Sequence, residues 1–504
     1  MISEYLRDVV RRYCDRLAIV DGDQRLSYGQ LWERVQAARE WLQSTLDPKP
    51  GDVIAVSLDN SWQFVACFFA VSELGCALMP CNPQSRAAEL RVLAGRLRFR
   101  GAVIEPRFSA EWHQVLDVIP SDHVFTADRV PSRCDPAAAS ILPPIDLVPE
   151  DAPALYVSTS GSTGTPHLVP RTHRNAIAAA ENVAGTLGIG PGHRLLGVVP
   201  FHYGDGFNKS LLVALLSGAT LVMMRQFNPK ACAELVQREK VDILFGSPFI
   251  YGSLADRISD PLLLSSLKWC FSGGGRIPSR VVESWRNRFG LTIRQSYGTS
   301  EAALIALERS VQPPVTSGGD RIGEPIRGVE VIILGADGPG AKRQRLERGE
   351  IGELAVRSAS VMSGYFGEPE LSRSLFHDGF FRTGDLGYLD TAGNLYLTSR
   401  MGRVMNIAGV KVDPVEVERV VEMLPNVTSC HVDAVPNRRG GELIRARIVP
   451  REGHQVTRRE VIEQCRLQLA EYKFPRVIEF LEATPITIGG KIPRPGASDA
   501  APQV

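Results

Sequence analysis

The stretch Ser158-Thr159-Ser160-Gly161-Ser162-Thr163-Gly164-Thr165-Pro166 decides how this chain is read. The apolar run 153–157 before it reads as a buried strand, and the alanine-rich segment 175–187 after it reads as a helix. A strand, a glycine- and hydroxyl-rich turn and a helix form an arrangement that holds phosphate. Glycines let backbone N–H groups converge on an anion, and Ser and Thr hydroxyls add donors. No lysine follows Gly164, so this is not the loop of Gly-x-x-x-x-Gly-Lys-Ser/Thr type. Composition alone would favour an ordinary Ser/Gly linker. The flanking elements, and the motifs that accompany the stretch downstream, favour phosphate.

Outward from that stretch, strands and helices alternate. Ser27-Tyr28-Gly29-Gln30 is a capping-box pattern. It opens an expected helix with Leu31, Val35, Ala38, Leu42 and Leu46 on one face. Strands are expected at 53–58, 77–80, 102–105, 194–199, 220–224 and 241–245. Helices are expected at 61–74, 88–97, 211–216 and from Asn228-Pro229, a good N-cap and first-turn pair. Such alternation predicts an α/β fold with parallel sheets covered on both faces. Beyond about Gly318, short glycine-punctuated strands (329–334, 353–357, 394–397) predict a small antiparallel or barrel-like section. Residues 400–409 read as a junction. After it come an expected helix at 414–424, strands at 429–435 and 443–449, and a capping box at Thr457-Arg458-Arg459-Glu460. The predicted division is a large N-terminal domain, 1–401, and a smaller α+β domain, 402–504, ending in a loose tail.

The 504 residues are too many for one ordinary core. A net charge of +1 gives no basic footprint for nucleic acid. Nine scattered cysteines, none in a C-x-x-C pair, suggest neither a disulfide framework nor zinc, and fit a reducing cytoplasm. The N-terminus has no signal-peptide pattern. The most apolar stretch, 64–80, carries Glu73 and is too short to span a bilayer.

Three further stretches complete the pattern. Gln295-Ser296-Tyr297-Gly298-Thr299-Ser300-Glu301 places an aromatic, a hydroxyl and a carboxylate at a strand end. Phe381-Arg382-Thr383-Gly384-Asp385 places an aspartate in what reads as a tight turn, with Arg400 fifteen positions on. Ile488-Gly489-Gly490-Lys491 places a lysine in a glycine-flexed loop. Together with 158–166 these resemble the adenylate-forming superfamily of acyl-CoA synthetases, firefly luciferase and peptide-synthetase adenylation domains. The resemblance runs from about Leu26 to Arg494. It is supported by Pro50-Gly51-Asp52, Pro200-Phe201-His202, Ser272-Gly273-Gly274-Gly275, Val361-Met362-Ser363-Gly364-Tyr365, Pro414-Val415-Glu416-Val417-Glu418 and Tyr472-Lys473-Phe474-Pro475. Singly, each residue has an ordinary reading as a turn, surface or core residue. Jointly, and in this order, they point to one chemistry.

The resemblance implies activation of a carboxylic acid by ATP, with release of pyrophosphate and then thioester formation with coenzyme A. Both reactants of the first step are anions, so positioning and charge neutralisation carry the catalysis. By resemblance, Thr159, Ser160, Gly161, Ser162, Thr163 and Gly164 cradle the β- and γ-phosphates. Glu301 holds Mg²⁺, and Ser300 lends a hydroxyl to phosphate. Asp385 and Arg400 take the ribose. Tyr297 stacks on adenine, with Gly273, Gly274, Gly275 and Gly298 beside it. Lys491 bridges the acid and the α-phosphate. The small domain is expected to turn about Gly402 for the second step, bringing Gly409 and Lys411 to the thiol. His202, Tyr203, Ser247, Phe249, Ser272, Gly274 and Ala302 are expected to line the acid pocket, with Gly274, Gly298, Ala302 and Ala303 leaving room for the acid.

Two positions depart from the family pattern. His167 stands where a lysine is usual, which removes a cation from the pyrophosphate side at neutral pH; Arg171 is a candidate replacement. Gly402 stands where the hinge is usually Asp or Lys. Ser300, for the usual Thr, keeps the hydroxyl. These departures leave two rivals open: a degraded homologue that binds nucleotide without chemistry, and an enzyme that loads a carrier protein's phosphopantetheine. Asp205 lies too near His202 for the amine-binding aspartate of amino-acid-activating relatives. Aryl, medium-chain and branched acids all fit the sequence, as do a monomer and a homodimer.

Overall fold

The computed structural model describes residues 1–115, 117, 119–133, 148–159, 166–310, 320–335, 343–401, 405–407, 410–436 and 442–481. Two sheets organise the large part. The first has six strands in the order Val124–Thr126, Phe99–Ile104, Val53–Ser57, Ala77–Pro80, Pro153–Thr159 and His167–Thr172, all parallel except the last. The second has fourteen strands. Its parallel half runs through Leu17–Asp21, Thr220–Met223, Arg194–Gly197, Ile243–Gly246, Trp269–Ser272 and Ile293–Thr299. The same sheet then continues antiparallel through Ala303–Leu307, Asp320–Pro325, Leu395–Arg400, Phe380–Leu389, Gly352–Arg357 and Glu330–Leu334. The antiparallel section expected beyond Gly318 is therefore an extension of the main sheet, and it begins earlier, at Ala303.

One core joins facing sides of both sheets. Helices Trp62–Glu73 and His173–Leu187 contribute to it. Trp62–Glu73 has almost no polar face, as expected of a helix enclosed on all sides. Ser61 caps it by accepting from the Phe64 N–H. The predicted capping box at Ser27 forms as read. All five residues of the predicted apolar face of helix Tyr28–Leu46 are buried. No helix among the described residues is long and apolar enough to cross a membrane.

A separate cluster, from Met405 to Phe474, forms the core of the C-terminal part. It is built from strands Val427–Pro436, Glu442–Pro450 and Val477–Phe480 with helices Pro414–Glu422 and Arg458–Gln468. The predicted boundary at 401/402 falls where residues 402–404 lie outside the described residues.

Three local expectations are corrected. The glycine stretch does not lead straight into a helix. Residues 167–172 form a strand antiparallel to Pro153–Thr159, with Thr159 opposite His167, and the helix starts only at His173. The Leu-Val pair and Thr172 give these residues strand character, and Thr172 then caps the helix by accepting from the Asn175 N–H. The expected helix at 211–216 begins earlier, with a π-helical segment Gly206–Leu212 running into Val213–Ser217. Asp385 is not in a tight turn. It sits within strand Phe380–Leu389, where Glu353 pairs with Leu386 but Ala355 pairs with Arg382. The extra residues bulge out at Gly384, φ 73°, a conformation that suits glycine. Thr-Gly-Asp reads as a turn because a bulge and a turn call for the same residues.

Candidate active site

Of the expected nucleotide residues, Tyr297, Gly298, Ser300, Glu301, Asp385 and Arg400 gather where the parallel half of the large sheet ends and its antiparallel half begins. Open α/β sheets bind ligands at the carboxyl ends of their strands, and the segments after Gly197, Gly246, Ser272 and Thr299 all leave from those ends.

Asp385 is the centre of one cluster. Its carboxylate accepts from the Tyr297 hydroxyl at 2.6 Å, and the Arg400 guanidinium lies 3.4 Å away. Asp385 and Arg400 are direct cross-strand partners. Burial pushes the Asp385 carboxyl above its usual range, and Arg400 pulls it part of the way back. The Tyr297 phenol is raised by burial and then by the carboxylate beside it.

Glu301 is the centre of the second cluster. It lies in the three-residue turn between strands Ile293–Thr299 and Ala303–Leu307. The turn is tight. The Ala302 N–H donates to Thr299 Oγ1 at 3.1 Å, and Ala303 has φ 60°. A Cβ on Gly298 would meet the Ala303 carbonyl at 2.3 Å. Gly298 is thus required by its own hairpin, a correction to the expectation that it leaves room for the acid. The Glu301 carbonyl accepts from the Met362 N–H at 2.7 Å and from Arg171 Nη1 at 3.1 Å, and its carboxylate accepts from the Tyr365 hydroxyl at 2.7 Å.

Arg171 does not replace the missing lysine at position 167. It is 0% exposed beneath the turn, where burial lowers its guanidinium to about 10, so it stays charged at neutral pH. Four residues on in the same strand, it lies on the face of His167 but under the turn, where its Nη1 bonds the Glu301 carbonyl.

His167 is engaged as well. Its Nδ1 lies 2.7 Å from Glu368, and its ring stacks on Tyr365 at a centroid distance of 4.8 Å. Arg96 holds the other Glu368 oxygen at 2.9 Å and donates to the carbonyls of Pro166 and Phe366. The base of the glycine stretch is therefore tied on one side to Glu368 and on the other, through Tyr365, to Glu301. Sequence reading missed Arg96, Glu368 and the role of Tyr365. The Val361–Tyr365 motif held a signal for Tyr365 only.

The acid-side residues divide. His202 and Tyr203 pack ring to ring at 4.3 Å. Both His202 ring nitrogens are buried without a partner, and burial holds the imidazole down to about 3. The Ser247 and Ser272 hydroxyls are likewise buried and unpartnered, and Ala302 is buried. Gly273 is buried, whereas Gly274, at φ 79°, and Gly275 are exposed. Phe249 departs from expectation: it is 40% exposed and turns edge-on to Phe227. The first turn of helix Pro248–Arg257 faces it outward. Thr159 ends its strand, with its hydroxyl 3.4 Å from the His167 carbonyl, and Ser300 is half-buried in the Glu301 turn. Lys491, Gly402, Gly409 and residues 160–164 lie outside the described residues, as does the side chain of Lys411.

Glu301 fits a magnesium ion. Mg²⁺ is ordinarily held by one or two carboxylates together with substrate phosphates and waters, not by a protein cage. Tyr365 fixes one Glu301 oxygen, and no cluster of three or more His, Cys, Asp or Glu side chains suited to a metal occurs among the described residues.

Two carboxylates, each bonded by a tyrosine hydroxyl and set at the strand ends of this two-part fold, fit an adenylate-forming enzyme. A family model for AMP-binding enzymes matches residues 6–366, and one for the AMP-binding enzyme C-terminal domain matches 416–491. The chain belongs to the AMP-binding enzyme family. It is 30% identical over 482 residues to feruloyl-CoA synthase from an Amycolatopsis species, covering 94% of each chain. It is 29% identical to 3-[(3aS,4S,7aS)-7a-methyl-1,5-dioxo-octahydro-1H-inden-4-yl]propanoyl:CoA ligase of Rhodococcus jostii, covering 97% of this chain and 96% of that one. Among solved structures it is similar to o-succinylbenzoate CoA synthetase from Bacillus subtilis in complex with its acyl-adenylate intermediate. There the TM-score is 0.84 with 25% identity, over 99% of this chain and 98% of that one.

Proposed function

We propose that this enzyme joins a small carboxylic acid to coenzyme A through an acyl-adenylate, with both half-reactions at the site built around Glu301 and Asp385. The observation that carries this reading is the pair of carboxylates, each fixed by a tyrosine hydroxyl: Asp385 by Tyr297 and Glu301 by Tyr365. In the first half-reaction an oxygen of the acid attacks the α-phosphorus of ATP and pyrophosphate leaves. Asp385 and Arg400 orient the ribose, and Tyr297 presents its face to adenine. Thr159 and the residues after it hold the β- and γ-phosphates, and Ser300 adds a hydroxyl. Glu301 would hold Mg²⁺, which when bound neutralises phosphate charge. Lys491 is assigned to bridge the acid and the α-phosphate.

For the second half-reaction the small domain, 402–504, turns about Gly402. Gly409 and Lys411 then form the face that admits the thiol, whose attack on the acyl carbon releases AMP. ATP and coenzyme A as substrates favour a cytoplasmic setting.

The test is ATP–pyrophosphate exchange across a library of acids, followed by thioester formation with coenzyme A or with a holo carrier protein. Exchange with at least one acid, lost in Lys491→Ala, is expected. Thioester formation is expected with free coenzyme A. Nucleotide binding without exchange for any acid would establish the degraded homologue instead. Acyl transfer only to the carrier would move the enzyme to the carrier-loading class.

A further inference from the structure

Between His202 and Ser210 the chain enters the acid side of the site as a π-helical turn, Gly206–Leu212. Such turns are rare and concentrate at functional sites. This one carries Lys209, whose side chain is only 4% exposed, an unusual place for an ammonium. The ammonium lies 2.9 Å from Asp205 Oδ1, and the Asp205 side chain is 39% exposed. A Cβ on Gly273 would come within 2.8 Å of Lys209 Nζ and 2.7 Å of Ser296 Oγ. The glycine therefore opens the space in which the ammonium stands, at the carboxyl end of strand Trp269–Ser272.

The segments that meet on this side of the site carry other polar groups without partners. The two ring nitrogens of His202 and the hydroxyls of Ser210, Ser247 and Ser272 are buried without partners among the described residues. A pocket for a plain hydrocarbon tail has no use for such groups, because each buried polar atom left unpaired costs free energy. An ammonium carries three N–H donors and no acceptor, and the structure pairs it with one carboxylate oxygen.

We propose that Lys209 is a specificity residue for the acid. Its ammonium donates to a neutral keto or hydroxyl oxygen carried by the substrate away from the carboxyl group being activated. This rests on the acid-activating function proposed above. The neutrality follows from Asp205: the pair already sums to zero charge, so a second substrate anion would meet the Asp205 carboxylate without a net cation to offset it. Asp205, held by Lys209, is likewise engaged and not free to bind a substrate amine.

The experiment is ATP–pyrophosphate exchange with matched acids that differ by one oxygen: 4-oxopentanoate against pentanoate, and 3-(4-hydroxyphenyl)propanoate against 3-phenylpropanoate. Succinate and glutarate provide the anionic arm. A site built to bond an oxygen strongly disfavours the analogue lacking it. A hydrogen bond from a buried charged group is worth about 10- to 100-fold in kcat/KM. The wild type is expected to favour the oxygen-bearing member of at least one pair by that factor. Lys209→Met should bring the ratio to within about threefold, and the double variant Lys209→Met/Asp205→Asn should do the same if it folds better. Exchange with no acid at all overturns the proposed function, not this assignment alone. Exchange that ignores the oxygen, a ratio that survives Lys209→Met, or a preference for the dicarboxylates overturns the assignment while leaving the enzyme's class in place.

Discussion

Replacing Tyr365 by phenylalanine removes one oxygen atom and tests the scaffold around Glu301. The hydroxyl donates to Glu301 Oε1 at 2.7 Å, and both side chains are half-buried. A hydrogen bond to a charged group contributes about 1.5–3 kcal/mol. Partial exposure places this one just below that range, at about 1.4 kcal/mol, which is about tenfold in rate. The ring of phenylalanine still stacks on His167, so the packing persists. The loss should fall on kcat for pyrophosphate release, because the hydroxyl fixes where the carboxylate proposed to hold the metal points, with KM for ATP changed less than about threefold. A surface-to-half-buried hydroxyl deletion should shift Tm by only a degree or two. The decisive measurement is a double-mutant cycle with Glu301→Gln, read in pyrophosphate release across a magnesium titration. If the two residues act as one unit, the double variant is impaired much less than the product of the single losses, with a coupling of about 1 kcal/mol. Strictly multiplicative losses, or a Tyr365→Phe enzyme within twofold of wild type, would refute the claim that the tyrosine positions the carboxylate.

Three other outcomes follow from the same geometry. In His167→Lys the new ammonium meets Glu368, which already holds Arg96, and is largely neutralised there, so KM for ATP should stay within about threefold. A tenfold fall would restore the simpler reading of a missing phosphate-binding cation. Gly402→Pro, by stiffening the assigned hinge, should slow thioester formation at least about tenfold more than adenylate formation in single-turnover assays; equal slowing removes the hinge assignment. His173 is fully buried, with its Nδ1 accepting from the Ile2 N–H at 3.4 Å, and burial lowers it to about 4. The unfolded chain takes up that proton first as pH falls below about 6.5. Stability is therefore unaffected above that pH, declines down to about 4 and then levels off. At pH 5 the loss is about 2 kcal/mol, measured as the change in urea-unfolding free energy from pH 7. His173→Gln should flatten that part of the profile, and an unflattened profile would place the effect elsewhere.

The alternating architecture was legible because fully buried parallel strands and amphipathic helices leave periodic patterns in the sequence. The capping boxes at Ser27 and Thr457 and the Asn228-Pro229 start were legible because capping is local chemistry. The glycine stretch misled at its C-terminal side. His167–Thr172 pairs only with the strand before the stretch, a non-local fact, and contains a proline that demotes it as a strand. The Asp385 bulge misled because turns and bulges share Thr-Gly-Asp. Glu368, Arg96 and the role of Tyr365 were illegible for a different reason. Their roles arise from contacts across long sequence separations: Tyr365 reaches 64 residues back to Glu301, and Arg96 reaches 272 residues forward to Glu368.

The hairpin changes what the departure at position 167 means. Were the glycine stretch a strand-to-helix loop, a histidine there would simply be one cation fewer near the phosphates. On a two-stranded stalk, position 167 lies directly opposite Thr159, where the stretch proposed to bind phosphate begins. Its ring lies on Tyr365, and its Nδ1 on Glu368. The histidine therefore links the foot of the glycine stretch to the tyrosine that bonds Glu301. A lysine, with its single flexible charge, can supply the cation but not the flat stacking surface. The substitution thus exchanges a mobile charge for a rigid contact between the two parts of the site proposed to meet the same triphosphate. With Arg96 already on Glu368, it does so without leaving that carboxylate unpaired.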